Sequence, residues 1–194
     1  MQSDLKAKLK KFLKENCILR DKQYTLASGE SSDVYIDARI AILNPKGSSL
    51  ITSIFFEEIT KRNNIGAVGS SLSVGGSTLV GSIIAKSSTE ERPLNGLIVR
   101  TNEKNYGTKN IVEGKFDNLC TSGHPPCCGL SVVMVEDIVN TGESILKAVD
   151  HLTKENINVS SVFSVVDRGK NTKEMFKQKG YEFFSIFTLD DLIS

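Results

Sequence analysis

Four short apolar runs constrain the fold of this chain more than any other feature of its sequence. They occupy 67–68, 96–99, 132–135 and 162–166, and segments with helical periodicity lie at 76–87, 143–155 and 172–179. Runs that are short and continuously apolar are typical of parallel strands covered on both faces. The helical segments then serve as crossovers between strands. The sequence therefore predicts an α/β fold with a doubly wound parallel sheet.

The first third of the chain predicts a helix, a turn, a strand and a second helix. Leu5, Leu9, Phe12 and Leu13 recur at helical spacing among lysines, which predicts an amphipathic helix over 3–15. A Ser- and Gly-rich turn at 28–33 precedes a strand predicted at 34–38, and apolar spacing predicts a helix over 47–62. The 194 residues fit a single domain.

The composition excludes several classes of partner. Lys and Arg total 24 and Asp and Glu total 23, so a formal net charge of +1 gives no general attraction to nucleic acid or to a membrane surface. No segment approaches the ~20 apolar residues of a membrane span, and the N-terminus does not resemble a signal sequence. Four Cys residues do not make a disulfide scaffold in a chain of this size. We therefore expect a cytoplasmic protein.

Polar loops follow the four predicted strands. In doubly wound sheets, ligands bind beyond the carboxyl ends of the strands. The loops after Val68, Val99, Val135 and Val166 are therefore predicted to form the functional edge of the sheet.

The loop after Val135 combines two acids with a Thr-Gly-Glu-Ser turn. Thr141, Gly142 and Ser144 can wrap a phosphate with backbone N–H groups and hydroxyls, aided by the dipole of the helix that follows. Two acids beside this turn, Glu136 and Asp137, repel a phosphate, so they suit the hydroxyls of an adjacent sugar or a bound Mg²⁺. The loop therefore predicts a site for a phosphorylated ribose.

The same loop leaves an alternative open. Glu143 opposes phosphate binding electrostatically unless its side chain points away. The alternative is an ordinary strand-to-helix turn, in which Asn140 or Thr141 is the N-cap of the helix. The Gly-x-x-x-x-Gly-Lys order of a Walker loop is absent.

The segment 100–114 is long and polar, with a central glycine. Arg100, Lys104 and Lys109 give it three cationic side chains. Beside a sugar-phosphate site, such a loop can cover negative charge and exclude water while pyrophosphate is expelled. A solvated surface hairpin is the alternative.

Four separated motifs of this chain resemble those of a known family. The segment 136–144 resembles the motif with which type I phosphoribosyltransferases bind 5-phosphoribosyl 1-diphosphate (PRPP). The segments 24–39, 100–114 and 166–168 resemble orotate phosphoribosyltransferases in particular. The resemblance runs in order from about residue 20 to Ile193.

The resemblance implies a type I phosphoribosyltransferase fold, with a small hood formed in part by residues 1–45 and a core over 46–194. It implies transfer of the phosphoribosyl group of PRPP to orotate, with Mg²⁺, giving orotidine 5′-monophosphate and pyrophosphate in pyrimidine biosynthesis. It also implies a homodimer in which loop 100–114 closes over the partner's site.

The resemblance assigns a binding role to individual residues. Each is implied to contact the ribose hydroxyls, the 5′-phosphate, the pyrophosphate or the base. A planar orotate carboxylate would pair with Arg168 through bidentate contact, for which a surface ion pair with a nearby acid is the alternative. The residues implied to bind PRPP are Arg100, Thr101, Lys104, Tyr106, Glu136, Asp137, Asn140, Thr141, Gly142, Glu143 and Ser144. Those implied to bind orotate are Tyr35, Ile36, Asn140 and Arg168, and those implied to be catalytic are Arg100, Lys104 and Asp137.

Several positions differ from the family pattern and bear on the substrate. Thr101 and Tyr106 stand where the family has Lys and His, and Asn140 stands where it has Thr. Ala27 and Glu30 occupy places where a Lys is common, and the glycine-rich segment 69–77 lacks the family's common acid. Two alternatives stay open: a phosphoribosyltransferase for another base, and a non-catalytic sensor of PRPP or a nucleotide on the same fold.

An insertion at 117–129 separates loop 100–114 from the strand that follows. It contains four possible zinc ligands, but their spacing matches no standard zinc knuckle and adjacent cysteines rarely bind one ion together without strain. The interpretation we favour is a metal-free surface loop. The four residues are Cys120, His124, Cys127 and Cys128.

Overall fold

The computed structural model describes residues 2–20, 23–25, 31–90, 92–100, 110–115 and 130–194. These residues form a chain of short N-terminal elements followed by alternating strands and helices. In order they are α1 (Gln2–Asn16), β1 (Ile18–Leu19), β2 (Tyr24–Thr25), β3 (Ser31–Ser32), β4 (Tyr35–Ile36), α2 (Arg39–Ile42), α3 (Pro45–Thr60), β5 (Ile65–Ser71), α4 (Val74–Thr89), β6 (Asn95–Val99), β7 (Val112–Glu113), β8 (Ser131–Val139), α5 (Glu143–Lys154), β9 (Val159–Asp167), α6 (Thr172–Gln178), β10 (Glu182–Thr188) and α7 (Leu189–Ile193).

A six-stranded sheet in the order β10-β9-β8-β5-β6-β7 forms the centre of the molecule. Its strands are parallel except β7, which pairs antiparallel with β6. The predicted α/β fold with a parallel sheet is confirmed. The two edge strands were not predicted, because β7 has only two residues and β10 mixes phenylalanines with polar residues.

The side chains of β8 alternate between two hydrophobic clusters, one on each face of the sheet. Val133 and Val135 pack in a cluster that includes buried residues of α1, α3 and α4. Val132 and Met134 pack in a second cluster with residues of α5 and α6. Helices therefore cover both faces, and this is why the central strands carry continuous apolar runs such as 132–135.

The predicted end of the central strand is wrong. The apolar run 132–135 lies within β8, which continues to Val139 and stays paired with β9 as far as Asp167. Glu136 and Asp137 therefore lie on the strand and not in the loop. Backbone pairing, which polar side chains do not interrupt, decides where a parallel strand ends.

The strand predicted at 34–38 is wrong beyond Tyr35–Ile36. Ala38 lies in a turn and Arg39 begins the short helix α2. Asp37 stabilises this change of direction, because its Oδ1 accepts a hydrogen bond from the Arg39 backbone N–H at 3.1 Å.

The five predicted helices are confirmed as α1, α3, α4, α5 and α6, with ends shifted by at most two residues. The helix predicted at 47–62 begins earlier, at Pro45, because Asn44 is its N-cap. The Asn44 Oδ1 accepts a hydrogen bond from the Lys46 backbone N–H at 2.9 Å, and Pro45 supplies the fixed φ that suits the first helical position.

The N-terminal elements form two small antiparallel pairs, β1 with β4 and β2 with β3. The helix α1 buries Leu9 and Leu13 in the same cluster as α3, so the N-terminal region shares the core of the sheet. The division into a hood over 1–45 and a core over 46–194 stays a prediction. Among the described residues, no helix is both long and apolar enough to cross a membrane.

Candidate active site

Two adjoining cavities open at the carboxyl ends of β5 and β8. The first, here called the loop cavity, has a volume of about 330 Å³ and is lined by 71–73 and 136–145. The second, here called the Tyr35 cavity, also has a volume of about 330 Å³, and Ser73, Asp137, Ile138 and Asn140 line both. The other residues of the Tyr35 cavity are Tyr35, Ile36, Asp37, Arg39, Val74, Gly75 and Arg168.

The loop cavity ends at the N-terminus of α5, where Gly142 is the N-cap. Its φ of 73° lies in the left-handed region, and a Cβ there would stand 3.0 Å from the Met175 Cε and 3.1 Å from the Phe176 Cζ. Only glycine fits both constraints. No side chain caps α5, so the alternative with Asn140 or Thr141 as N-cap is wrong. The Glu143 backbone N–H makes a long hydrogen bond to the Thr141 Oγ1 at 3.4 Å, and the next N–H groups of α5, those of Ser144 and Ile145, are left to a ligand or to water.

Glu143 lies in the first turn of α5 and lines the loop cavity. Its carboxylate accepts a hydrogen bond from the Lys147 Nζ at 2.7 Å, one turn further along the helix. This hydrogen bond lowers the pKa of Glu143 below its usual value. Because Lys147 partly neutralises this carboxylate, Glu143 repels an anion at the N-terminus of α5 less than an unpaired carboxylate would.

Glu136 is the most deeply buried acid of the site, with 7% of its surface exposed. Its Oε2 accepts a hydrogen bond from the Ser71 Oγ at 2.6 Å and its Oε1 accepts one from the Ser73 Oγ at 3.0 Å. Burial raises the pKa of Glu136 to about 7; the negative charge of Asp137 adds to this rise, and the two serine hydroxyls oppose it. The ribose contact predicted for Glu136 stays a prediction.

Asp137 is half-buried and lines both cavities, so its carboxylate is the more accessible of the two. Two glycines at the start of α4 make room for the pair of acids. A Cβ at Gly75 would overlap the Asp137 carboxylate, and a Cβ at Gly76 would stand 3.1 Å from the Glu136 Oε1. The segment 69–77 is therefore glycine-rich because α4 approaches the acids with its backbone.

One wall of the Tyr35 cavity is aromatic and carries an ion pair. Tyr35 stacks on Tyr24 with ring centroids 5.1 Å apart. Arg39 donates two hydrogen bonds to the Asp37 carboxylate, from Nε at 2.7 Å and from a terminal nitrogen at 2.8 Å. This bidentate pair holds the pKa of Asp37 below its usual value.

Arg168 also lines the Tyr35 cavity and comes directly after β9. Its backbone N–H donates to the Val139 carbonyl at 2.8 Å, and burial lowers the pKa of its guanidinium. Within the described ranges, the Arg168 side chain forms neither an ion pair nor a side-chain hydrogen bond, so the predicted alternative of a surface ion pair finds no support there. The guanidinium is positioned to receive an anion from the cavity.

Arg100 does not line either cavity. Its backbone N–H donates to the Ile111 carbonyl at 2.8 Å, and its Nε stands 3.2 Å from the Glu113 Oε1. The structure therefore pairs Arg100 with Glu113 at the base of the segment 100–114 and does not bring it to the other site residues.

Several predicted residues lie outside the part of the chain that the structure describes. They are Ala27, Glu30, Thr101, Lys104, Tyr106, Cys120, His124, Cys127 and Cys128.

Within the part of the chain that the structure describes, no group of three or more His, Cys, Asp or Glu side chains could hold a metal ion.

Sequence reasoning missed four side chains of the site: Ser71, Ser73, Asp37 and Arg39. The two serines follow the strand run 67–68, whose loop was predicted to be functional, but serine alone gives no signal for a contact to Glu136. Asp37 and Arg39 belong to a segment quoted for its resemblance, and their i, i+2 spacing does not predict an ion pair.

Comparisons with known proteins agree with the geometry. The orotate phosphoribosyltransferase of Methanocaldococcus jannaschii is 38% identical over 192 residues, which covers 98% of each chain. That of Methanococcus maripaludis is 32% identical and covers 97% of this chain and 94% of its own. A crystal structure of Mycobacterium tuberculosis H37Rv orotate phosphoribosyltransferase in complex with PRPP has a TM-score of 0.73 at 26% identity, covering 97% of this chain and 98% of that one. No family model matches the chain. The full-length likeness to these relatives shows that the chain belongs to the orotate phosphoribosyltransferase family.

Proposed function

We propose that this chain transfers the phosphoribosyl group of PRPP to orotate and releases orotidine 5′-monophosphate and pyrophosphate. The observation that carries the proposal is that the loop cavity and the Tyr35 cavity meet at Asp137. The outer ends of the two cavities both attract anions, through the uncapped N-terminus of α5 in one and the Arg168 guanidinium in the other. A ribose at Asp137 can therefore carry a phosphate towards α5 and face a carboxylate-bearing base.

PRPP binds, in this proposal, along the loop cavity. The 5′-phosphate accepts hydrogen bonds from the first backbone N–H groups of α5 and from the hydroxyls of Thr141 and Ser144. Asp137 and Glu136 accept hydrogen bonds from the ribose hydroxyls, with Asp137 the more exposed of the two. Orotate lies against Tyr35 and Ile36, and its carboxylate pairs with Arg168.

The reaction needs positioning and charge stabilisation more than it needs a protein nucleophile. Displacement at the anomeric carbon develops positive charge on the ribose and negative charge on the departing pyrophosphate. Asp137, beside the ribose, stabilises the first of these charges. The pyrophosphate requires cations, for which Arg100 and Lys104 are the proposed side chains.

Mg²⁺ is the proposed metal ion. Because this ion is usually held by one or two carboxylates together with substrate phosphates, a site without a cluster of three acids fits a Mg²⁺ that arrives on the diphosphate of PRPP. Bound there, it would neutralise charge on the leaving group. The absence of such a cluster refers to the described residues alone.

The segment 100–114 is proposed to close over the pyrophosphate. For this, Arg100 exchanges its contact with Glu113 for the diphosphate, since the present pair is partly exposed and an exposed ion pair contributes only about 0 to 1 kcal/mol. Thr101 and Tyr106 are proposed to touch PRPP from the same segment. The homodimer in which the segment covers the partner's site, and the cytoplasmic location, are further parts of the proposal.

A second candidate is a phosphoribosyltransferase for another base. Asn140 favours it, because this residue lines both cavities where the family pattern has Thr. Its amide both donates and accepts hydrogen bonds, so it can recognise a different arrangement of base substituents.

The test is orotate consumption by purified protein with PRPP and Mg²⁺, followed by the loss of orotate absorbance, with other bases assayed in parallel by pyrophosphate release. Rapid turnover of orotate that falls in Asp137→Asn would support the proposal. Pyrophosphate release with another base alone would favour the second candidate. PRPP binding without any turnover would indicate a non-catalytic sensor.

A further inference from the structure

The hydroxyl of Ser73 takes part in two hydrogen bonds that join α4 to the ribose site. As the N-cap of the 16-residue helix α4, its Oγ accepts a hydrogen bond from the Gly76 backbone N–H at 2.9 Å. The same Oγ donates to the Glu136 Oε1 at 3.0 Å. A hydroxyl has one proton and two lone pairs, so both bonds can form at once.

The second oxygen of Glu136 is held from the neighbouring strand. The Ser71 Oγ, at the end of β5, donates to the Glu136 Oε2 at 2.6 Å. A Cβ at Gly76 would stand 2.9 Å from the Ser73 Oγ and 3.1 Å from the Glu136 Oε1, so the helix backbone packs directly against this contact. Both oxygens of the carboxylate are therefore fixed by hydroxyls that belong to other elements.

We propose that Ser73 and Ser71 are positioning residues for the ribose of PRPP, which together orient the Glu136 carboxylate and fix it to the N-terminus of α4. The inference rests on the proposed binding of PRPP. The Glu136 Oε1 also accepts a hydrogen bond from the Asp137 backbone N–H at 3.4 Å, so the second lone pair of Oε2 is the one that can accept a ribose hydroxyl while the serines hold the carboxylate. Groups that fix a ligand-binding side chain in one geometry lower the cost of ordering it on binding.

The ionisation of Glu136 provides a second argument that Ser71 and Ser73 act on its carboxylate. The described groups that face its carboxylate are the hydroxyls of Ser71 from β5 and Ser73 from the α4 side, and the acid Asp137 beside it on β8. The hydroxyls favour the ionised form and Asp137 disfavours it. Without one hydroxyl, Glu136 becomes ionised only at a higher pH.

The experiment measures PRPP binding by isothermal titration calorimetry with Mg²⁺ present, from pH 6 to pH 9, for the wild type, Ser73→Ala, Ser71→Ala, Ser73→Gly and Ser73→Thr. Because each alanine variant removes a hydrogen bond to a charged group, we expect its PRPP affinity at neutral pH to fall about tenfold. The midpoint of the pH dependence should also move to higher pH. Ser73→Thr keeps the hydroxyl and should recover the affinity.

Ser73→Gly separates positioning from helix capping. Gly is nearly as good an N-cap as Ser and places no charge beside Glu136, so the thermal stability should fall only slightly while PRPP affinity stays low. Ser71→Ala leaves the cap intact and covers the case in which Ser73→Ala fails to fold. Ser77→Ala is the control; the described residues offer no hydrogen-bond partner to this buried hydroxyl, and its removal should leave binding unchanged.

Wild-type PRPP affinity in both Ser71→Ala and Ser73→Gly would overturn the inference and reduce Ser73 to a helix cap. Failure of the wild type to turn over orotate while it still binds PRPP would instead affect only the proposed reaction. The two failures are therefore distinguishable in one set of samples.

Discussion

Arg168 is a half-buried cation whose side chain has no acidic partner in the described part of the chain. Replacing it with Ala should raise the KM for orotate by about 10- to 100-fold, because hydrogen bonds to a charged group contribute about 1.5 to 3 kcal/mol. Lys should recover only part of this loss, since it lacks the planar fork. Initial rates against orotate concentration test this, and PRPP affinity should change little.

The control for Arg168 is Lys170→Ala, which removes an exposed cation two residues away. It should leave the KM for orotate unchanged. A similar rise in both variants would mean that general positive charge, and not the position of Arg168, attracts the base.

Glu136 should make the stability of the protein depend on pH. Its pKa is raised in the fold to about 7 from its usual value of 4.5, so the folded state holds the proton more tightly than the unfolded chain does. Ionisation of Glu136 therefore destabilises the fold. This loss of stability is absent below the unfolded pKa, grows as pH rises between the unfolded and folded pKa values and is complete above about pH 7. Unfolding in urea from pH 4.5 to pH 8 should show this decline, and Glu136→Gln should flatten it. Parallel curves for the two proteins would contradict the assignment.

At the scale of one element, the N-terminus of α5 depends on the left-handed conformation of Gly142. Gly142→Ala should destabilise the fold by about 1 to 3 kcal/mol, from the strained φ and from contact with Met175 and Phe176. PRPP affinity should fall with it, because the backbone that is proposed to bind the phosphate would shift. Urea unfolding and calorimetry measure the two effects.

Gly180 offers a matched control for this element. Its φ is +86°, and a Cβ there would meet no atom within 4 Å. Gly180→Ala should therefore show the cost of the positive φ alone and leave PRPP binding intact. Equal stability losses in the two variants would mean that the contacts of Gly142 with α6 matter little.

The elements also show how far the sequence predicts the molecule. The helices were predictable because each carries its own periodicity, and the central strands because each contains a short apolar run. The functional loop after β8 was predictable because strand ends in a parallel sheet meet at one edge. The end of β8, the turn at Asp37 and the contacts of Ser71 and Ser73 with Glu136 were not. They depend on backbone pairing and on hydroxyl groups brought together from distant parts of the chain, and residue type alone does not encode either.

At the scale of the whole molecule, Arg62 joins α3 to the edge of the sheet at the end opposite the active site. Its guanidinium donates to the Glu58 carbonyl at 2.6 Å and to the Glu182 carboxylate from Nε at 3.0 Å, and lies 4.7 Å from the centre of the Phe163 ring. Arg62→Ala should cost about 2 kcal/mol, which lowers Tm by about 4 to 8 °C. The kcat of the folded enzyme should not change.

Lys61→Ala is the comparison for Arg62. This neighbouring lysine is largely exposed, forms its ion pair with Glu58 one turn back, and reaches α1 only through a long contact to the Gln2 side chain at 3.5 Å. We expect a change within about 0.5 kcal/mol. A loss as large as that of Arg62→Ala would show that the local charge of α3, and not the link to β9 and β10, supports the fold.

Asp137 and Asn140 stand in the wall of both cavities, so in the proposed binding mode each substrate borders on groups that surround the other. Groups shared in this way couple the binding of the two substrates, and such coupling is reciprocal. The factor by which PRPP changes the affinity for orotate must equal the factor by which orotate changes the affinity for PRPP. A favourable factor would make half-loaded enzyme scarce, and PRPP would then seldom stay bound without a base to receive its sugar.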